Sequence, residues 1–432
     1  MHIAVVGTGY VGLVTGTCLA EMGNSVICID NDEDKVNRMK SGEVPIYEPH
    51  LNILFERNIK AKRLRFTTSL EEALDFGNIV FLALPTPEKK DGSADLSYIT
   101  KVVQDIGDLI EDYKVIVNKS TVPVGTAKLV KEIISKRTSV DFDVVSNPEF
   151  LREGVAVDDF LRPERVVIGS SSQKAIEIMK RLFKPYLRNN NPIFVMDEAS
   201  AEITKYASNS FLATKITFMN EIANFCERVG ANVDMVRTAM GADQRIGKQF
   251  LYPGIGYGGA CFPKDLKALH KLGKDYGYNF AVLDAVIKVN EKQKVILFPS
   301  MESYFKNDLK AKKIAVWGLS FKPETDDIRE APSLYMIDEL LKKGSKINAF
   351  DPEAIPNVRR KYGNKLQYGK DMYDVVEGAD ALLICTEWAI FRNPNFERIK
   401  SLMNVAVIFD GRNLFDTIEM KELGIYYQSI GR

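Results

Sequence analysis

Cys261 sits between Gly254-Ile-Gly-Tyr-Gly-Gly-Ala260 and Phe262-Pro263-Lys264-Asp265. Four glycines within six residues let the backbone come close to a ligand, and Pro263 suits the first turn of a helix. A thiol just before a helix N-terminus feels the partial positive charge of that end, which favours the thiolate. Lys264 adds a cation nearby, and Asp265 adds a carboxylate able to orient a water. A second set of chemistry-bearing residues opens the chain. Gly7-Thr8-Gly9-Tyr10-Val11-Gly12 spells G-x-G-x-x-G, and Asp30 follows 18 residues after Gly12. That spacing is the dinucleotide fingerprint: a tight turn at Gly7, close backbone approach at Gly9, and helix–strand packing at Gly12. Asp30 would accept hydrogen bonds from ribose hydroxyls and repel a 2′-phosphate, which favours NAD over NADP.

An NAD site and an activated cysteine in one chain imply a reaction class. Hydride leaves an alcohol carbon, the thiolate captures the resulting aldehyde as a thiohemiacetal, and a second hydride transfer gives a thioester that water hydrolyses to an acid. Other residues stand where ligands gather in parallel sheets, beyond the carboxyl ends of strands. Thr86, Thr121 and Glu149 are of this kind, and so are the cations Lys322 and Arg412, candidates for holding an anion. Lys205 and Asn209 share a helix face at i, i+4 spacing, beside Tyr206, Phe211, Leu212, Ile216 and Phe218.

The elements that must position these residues are legible in outline. His2–Val6 and Ser25–Ile29 are short apolar runs suited to buried parallel strands, with a helix from Leu13 to Met22 between them. Ile79–Pro87, Lys114–Asn118 and Val144–Glu149 continue the pattern. It then repeats: Lys313–Gly318 echoes His2–Gly7, Phe350-Asp351 echoes the acid-ended second strand, and Val405–Phe409 echoes the strand near 115. Asp371–Trp388 matches Ser69–Thr86 as an amphipathic helix, a glycine and a buried strand. The second unit lacks the full glycine fingerprint, which points to a different phosphate-bearing ligand. Between the units a long helical stretch runs from about Ala199 to Arg228. The expected fold is α/β, two Rossmann-like doubly wound parallel-sheet domains joined by a central long-helix domain, with boundaries at 1–196, 197–300 and 301–432.

Composition narrows the alternatives. The 432 residues carry 58 Lys+Arg and 58 Asp+Glu, so no general basic field exists for nucleic acid or an anionic membrane. Three histidines, His2, His50 and His270, disfavour zinc hydrolases and Ser-His-Asp triads. Five scattered cysteines without a C-x-x-C pair make a poor disulfide framework and a poor metal site. No apolar run approaches the ~20 residues of a membrane span, and no signal peptide is recognisable. A cytoplasmic protein without a bound metal is expected.

The chain resembles the UDP-glucose/GDP-mannose dehydrogenase family along nearly its whole length. The resemblance rests on GTGYVG (7–12), PIYEP (45–49), KSTVPVGT (119–126), NPEFLREG (147–154) and RPERVVIG (162–169). It continues with KYASNSFLATKI (205–216), GIGYGGACFPKD (254–265), GLSFKPETDDIREAPS (318–333) and FDGRN (409–413). Ala260 departs from the commonest form of the motif, which has serine before the cysteine. The resemblance implies four-electron oxidation of UDP-glucose to UDP-glucuronate with two NAD⁺ reduced, Cys261 carrying the thioester. It makes Lys205 and Asn209 oxyanion stabilisers, Asp265 a water-positioning group, and Thr121 and Glu149 parts of the proton network. Around NAD it places Gly7, Gly9, Tyr10, Val11, Gly12, Asp30, Lys35, Thr86, Thr121, Glu153, Lys264 and Arg329. To the UDP-sugar it assigns Glu149, Phe150, Leu151, Lys205, Asn209, Phe250, Tyr252, Gly258, Phe262, Lys322 and Arg412, with Arg245 reaching in from a second subunit of a homodimer or higher homo-oligomer. Alternatives are the same chemistry on a UDP-N-acetylhexosamine or GDP-mannose and, more distantly, a non-catalytic NAD-binding scaffold.

Overall fold

The computed structural model describes residues 1–187 and 192–432. The chain forms two compact units, Met1–Ser208 with Lys271–Tyr276, and Asn209–His270 with Gly277–Arg432. The first is built on β1 (His2–Val6), β2 (Ser25–Ile29), β3 (Leu64–Thr67), β4 (Ile79–Leu82), β5 (Lys114–Asn118), β6 (Phe142–Ser146), β7 (Val166–Gly169) and β8 (Ile193–Met196). Their spatial order is β3-β2-β1-β4-β5-β6-β7-β8. The central strands are apolar on both faces because helices cover both, which is what near-continuous Val, Ile, Leu and Phe runs require. The first six strands are parallel, as expected. β7 pairs with β6 antiparallel and with β8 in parallel, so the sheet reverses direction at that junction.

The second unit carries β9 (Lys313–Trp317), β10 (Lys346–Phe350), β11 (Gln367–Tyr368), β12 (Ala381–Ile384), β13 (Val407–Asp410) and β14 (Tyr426–Gln428). Their order, β11-β10-β9-β12-β13-β14, is all parallel and repeats the first six strands of the other sheet. In both units the register aligns the ends of the first two strands: Val6 lies opposite Ile29, and Trp317 opposite Phe350. The turn after the first strand is therefore set beside an aspartate, Asp30 in one unit and Asp351 in the other.

Two expectations need correcting. The strand read over Ile79–Pro87 ends at Leu82. The helix expected after Asp371 is only a single 3₁₀ turn, Asp374–Val376. The Asp371 carboxylate accepts the N–H groups of Tyr373 and Asp374 at 2.7 and 2.9 Å, and Asp374 accepts that of Lys370 at 2.9 Å. Side chains here take the backbone donors that a helix would have used. The long helix spans Glu198–Val229, its residues through Ser208 belonging to the first unit and the rest to the second. Among the described residues no helix is long and apolar enough to cross a membrane.

Candidate active site

The fingerprint turn is built from β1 outward. Gly7 has φ +95° and donates its N–H to Ile29 O at 2.8 Å. A Cβ at Gly7 would lie 2.5 Å from Ala83 O, and one at Gly12 would lie 1.9 Å from Gly7 O, so neither position accepts a side chain. The space around a Cβ at Gly9 is open for 4 Å. The helix Tyr10–Glu21 starts at Gly9 without a side-chain cap, leaving its first N–H groups directed outward where a phosphate binds best. Asp30 accepts from the Thr8 N–H at 3.1 Å, from the Thr8 hydroxyl, and from Lys35 Nζ at 2.9 Å. Burial works to raise its pKa, but these bonds and the Lys35 charge outweigh it and hold the carboxyl below the usual range. The residues fit a dinucleotide: an open approach over Gly9, unpaired helix-end donors and an ionised acceptor at the second strand end.

Farther along the same sheet, the ends of β4, β5 and β6 bring ionisable groups together. Thr86 donates its hydroxyl to Thr121 O at 3.0 Å. Glu149 and Lys205 are both buried and pair at 3.0 Å, and Leu151 N–H donates to the other Glu149 oxygen at 2.5 Å. Phe150 lies with its ring 5.4 Å from Lys205 Nζ and 3.8 Å from the Arg165 guanidinium carbon. Lys119, also buried, donates to Asn147 Oδ1 at 3.0 Å with the Phe160 and Phe183 rings on its flank. Burial brings its pKa down to about 8, Lys205 pushes the same way, and Glu149 opposes. Glu202 on the long helix accepts the N–H groups of Gly125 and Ala127 at 2.7 and 2.8 Å, fixing the turn that follows Thr121.

In the second unit, the glycine-rich segment is held from three sides. Asn220 Oδ1 accepts Gly254 N–H at 2.8 Å, Gln293 donates to Gly254 O at 2.8 Å, and Asn290 accepts Tyr257 N–H at 3.0 Å while donating to Tyr257 O at 3.1 Å. Arg412 donates to Gly256 O at 3.2 Å and to Cys385 O at 2.8 Å. A Cβ at Gly258 would lie 2.1 Å from Glu330 O, so only glycine passes there. The held segment delivers Cys261 to the start of the helix Phe262–Asp275, where its carbonyl accepts the Asp265 N–H at 2.9 Å. Asp265 is buried, and its two carboxylate oxygens receive Asn209 Nδ2 at 2.7 Å and Lys264 Nζ at 2.8 Å. Asn209, Lys264 and Asp265 are thus one hydrogen-bonded group. None of the five cysteines, all among the described residues, is in a disulfide, and Cys261 alone is partly exposed. Burial pushes the Cys28 and Cys385 thiols up to about 12, which removes them as nucleophiles.

The remaining expected ligand contacts are more scattered. Phe250 has φ +63°, an uncommon conformation for a bulky residue, with its ring 6.4 Å from Phe262. Tyr252 is exposed under the Arg237 guanidinium. Lys322 lies 5.5 Å over the Phe321 ring, and Arg329 pairs with Asp327 at 2.8 Å. Arg245 is exposed, held by Asp243 at 2.7 Å, and is not brought to the other residues of its unit's site. The sequence reading missed Asn220, Asn290, Gln293 and Glu202, the groups that fix the loops.

Residues 1–187 match the NAD binding domain of the UDP-glucose/GDP-mannose dehydrogenase family, residues 199–292 its central domain and residues 315–417 its UDP binding domain. The chain belongs to this family. It is 47% identical over 442 residues to the UDP-glucose 6-dehydrogenase of Pseudomonas aeruginosa, covering 100% of this chain and 98% of that one. It is 48% identical over 432 residues to the UDP-glucose 6-dehydrogenase TuaD of Bacillus subtilis, covering 100% and 93%. Among solved structures, a UDP-glucose dehydrogenase from Pyrobaculum islandicum superposes with a TM-score of 0.92 at 34% identity, covering 99% of this chain and 97% of that one. This family member is an oxidoreductase, and the turn built on Gly7–Gly12 with Asp30 lies in its NAD binding domain.

Proposed function

We propose that the enzyme oxidises UDP-glucose to UDP-glucuronate, with Cys261 as the covalent nucleophile. The observation that carries this reading is Cys261 itself, the one partly exposed thiol, held at a helix N-terminus by a hydrogen-bonded glycine loop. Bound NAD⁺ supplies the hydride acceptor for each of two oxidations. The primary alcohol loses a proton and a hydride to become an aldehyde, and the Cys261 thiolate adds to its carbon as a thiohemiacetal. Loss of a second proton and hydride leaves a thioester, and one water cleaves it to the carboxylate and the regenerated thiol. Lys205 and Asn209, one turn apart on the long helix, donate to the oxyanion that develops on the sugar carbon. Asp265 orients the hydrolytic water, while Thr121 and Glu149 hold and pass protons. Phe150, Leu151, Phe250, Tyr252, Gly258, Phe262, Lys322 and Arg412 bind the UDP-sugar. Val11, Lys35, Thr86, Glu153, Lys264 and Arg329 serve NAD alongside the fingerprint.

The reading includes three functional segments, 1–196 for NAD, 197–300 for dimerisation and 301–432 for the UDP-sugar, and a cytoplasmic homodimer. Phe211, Phe218 and Phe225 support the dimer. They recur every seven residues along the long helix and are 65%, 50% and 59% exposed, an apolar stripe suited to a second copy of the chain. In that copy's site Arg245 completes the contacts to substrate. The test is stoichiometry across a panel of UDP-glucose, UDP-N-acetylhexosamines and GDP-mannose. Two NADH per UDP-glucose are expected, with no acid formed by Cys261→Ala. One NADH per sugar, acid formation by that variant, or turnover of another sugar alone would each overturn the reading.

A further inference from the structure

PIYEP contains a carboxylate that the proposed chemistry leaves unused. Glu48 is 6% exposed, and both its oxygens are occupied. Oε2 accepts the Tyr10 hydroxyl and the Gly154 N–H, the latter at 2.7 Å; Oε1 accepts the Ala156 N–H at 2.7 Å, and the Val157 N–H adds a further bond. The Gly154 N–H also reaches the Tyr10 hydroxyl at 3.1 Å. One buried carboxylate therefore ties together three segments distant in sequence: the fingerprint turn, the loop before the helix Leu51–Lys60, and the turn that carries Glu153.

Such a group is costly to bury, since both oxygens leave water, and its pKa is raised chiefly by that burial. A fold needing only packing at this point would be served by an apolar side chain. The four donors instead fix positions. Tyr10 is the first residue of the helix that follows the fingerprint turn, a helix with no side-chain cap at its start, and Gly154, at φ +84°, follows Glu153 directly. We infer that Glu48 is a positioning residue of the dinucleotide site, holding the first helical turn at Tyr10 and the Glu153 turn in the arrangement that receives NAD. The inference rests on the reading of Tyr10 and Glu153 as cofactor contacts.

Steady-state kinetics with varied NAD, run on Glu48→Ala and Tyr10→Phe, test it. Glu48→Ala is expected to raise the KM for NAD about tenfold, with kcat and the KM for UDP-glucose within about twofold of wild type. Tyr10→Phe keeps the ring and removes one bond, so its KM for NAD should rise by about two- to fourfold. A KM for NAD unchanged in both variants overturns the inference. So does a Glu48→Ala protein whose kcat and both KM values worsen together with a lower melting temperature, the mark of a purely structural role. Should Glu48→Ala fail to fold, Tyr10→Phe decides alone: a wild-type KM for NAD then sinks the idea. Direct titration of wild-type protein with NAD separates this from the underlying reading, because a fingerprint that binds no NAD would fail before Glu48 is tested.

Discussion

β1 and β9 leave their sheets in the same way, through a glycine at φ +95° or +87° whose N–H reaches the last carbonyl of the neighbouring strand at 2.8 or 2.9 Å. Each then runs beside an aspartate, and there the two units part. Asp30 keeps a side chain 13% exposed, and its carboxylate accepts from Thr8, Lys35 and the Asp32 N–H. Asp351 is 1% exposed and accepts from Leu319 N–H, Ser320 N–H and hydroxyl, the Trp388 indole, and the N–H groups of Glu353 and Ala354, all at 2.7–3.1 Å. The second unit has turned its strand-end acid inward and closed the turn with Trp388. The two units therefore share their topology and differ in how many internal donors face the strand-end carboxylate, four at Asp30 and six at Asp351.

The largest effects should come from the two aspartates. Asp351→Ala leaves buried donors without an acceptor and is expected to cost ~3–5 kcal/mol of stability, read as a lower urea midpoint, with affinity for NAD within about twofold of wild type. Asp30→Ala should do the reverse, changing stability by ~1 kcal/mol or less while raising the KM for NAD about 10- to 100-fold and weakening discrimination against NADP. Equal losses of stability in the two variants would erase the distinction between an acid kept for a ligand and an acid spent on the fold.

The units differ too in how they treat buried charge at strand ends. Asp410 closes β13 with every bond internal, to Arg412 N–H, Leu414 N–H and the Tyr427 hydroxyl, and burial raises its pKa. Lys119 closes β5 on an amide, two aromatic rings and the nearby Glu149–Lys205 pair, and its pKa falls from the usual 10.5 to about 8. Below pH 8 the amine is protonated in both folded and unfolded chains, so the burial cost is carried in full. As pH rises from 8 to 10.5 the folded chain has released a proton that the unfolded chain still binds, so stability gains. Lys119→Met removes this dependence. Relative to that variant, wild type should gain ~3 kcal/mol between pH 7 and pH 10.5 in urea titrations at a series of pH values. A difference flat in pH would show that Lys119 titrates normally.

The parallel strands, the fingerprint with Asp30 and the loop around Cys261 are legible in the sequence because each is a local signal of apolar runs or glycine spacing. The loops' anchors are not. Asn220 meets Gly254 from 34 residues away, and Glu202 meets Gly125 from 77, and a carboxamide or carboxylate on a helix reads the same whether it faces water or a backbone donor. The reversal at β6–β7 was hidden for a related reason, since strand direction leaves no mark on side-chain pattern. The missing helix at Asp371 shows the opposite failure, where amphipathic spacing was present and short side-chain bonds overrode it.

The smallest expected change in the fold is also the sharpest probe of the comparison. Gly7 and Gly12 are required by protein atoms that a Cβ would strike, but Gly9 has φ −66° and open space where its Cβ would stand. Counting from the left-handed glycine, the second unit has Ser320 at the matching place, with its hydroxyl bonded to Asp351 and to Lys322 O. The fold thus gives no reason for glycine at position 9, and the reason left is the close approach of a pyrophosphate. Gly9→Ala should keep the unfolding free energy from urea titration within ~0.5 kcal/mol of wild type, because alanine adopts that backbone freely, while raising the KM for NAD about five- to tenfold. Gly12→Ala, measured in parallel, should lower both stability and NAD affinity. If Gly9→Ala binds NAD as wild type does, the phosphates do not pass over this turn, and the openness at Gly9 would no longer distinguish the first unit from the second.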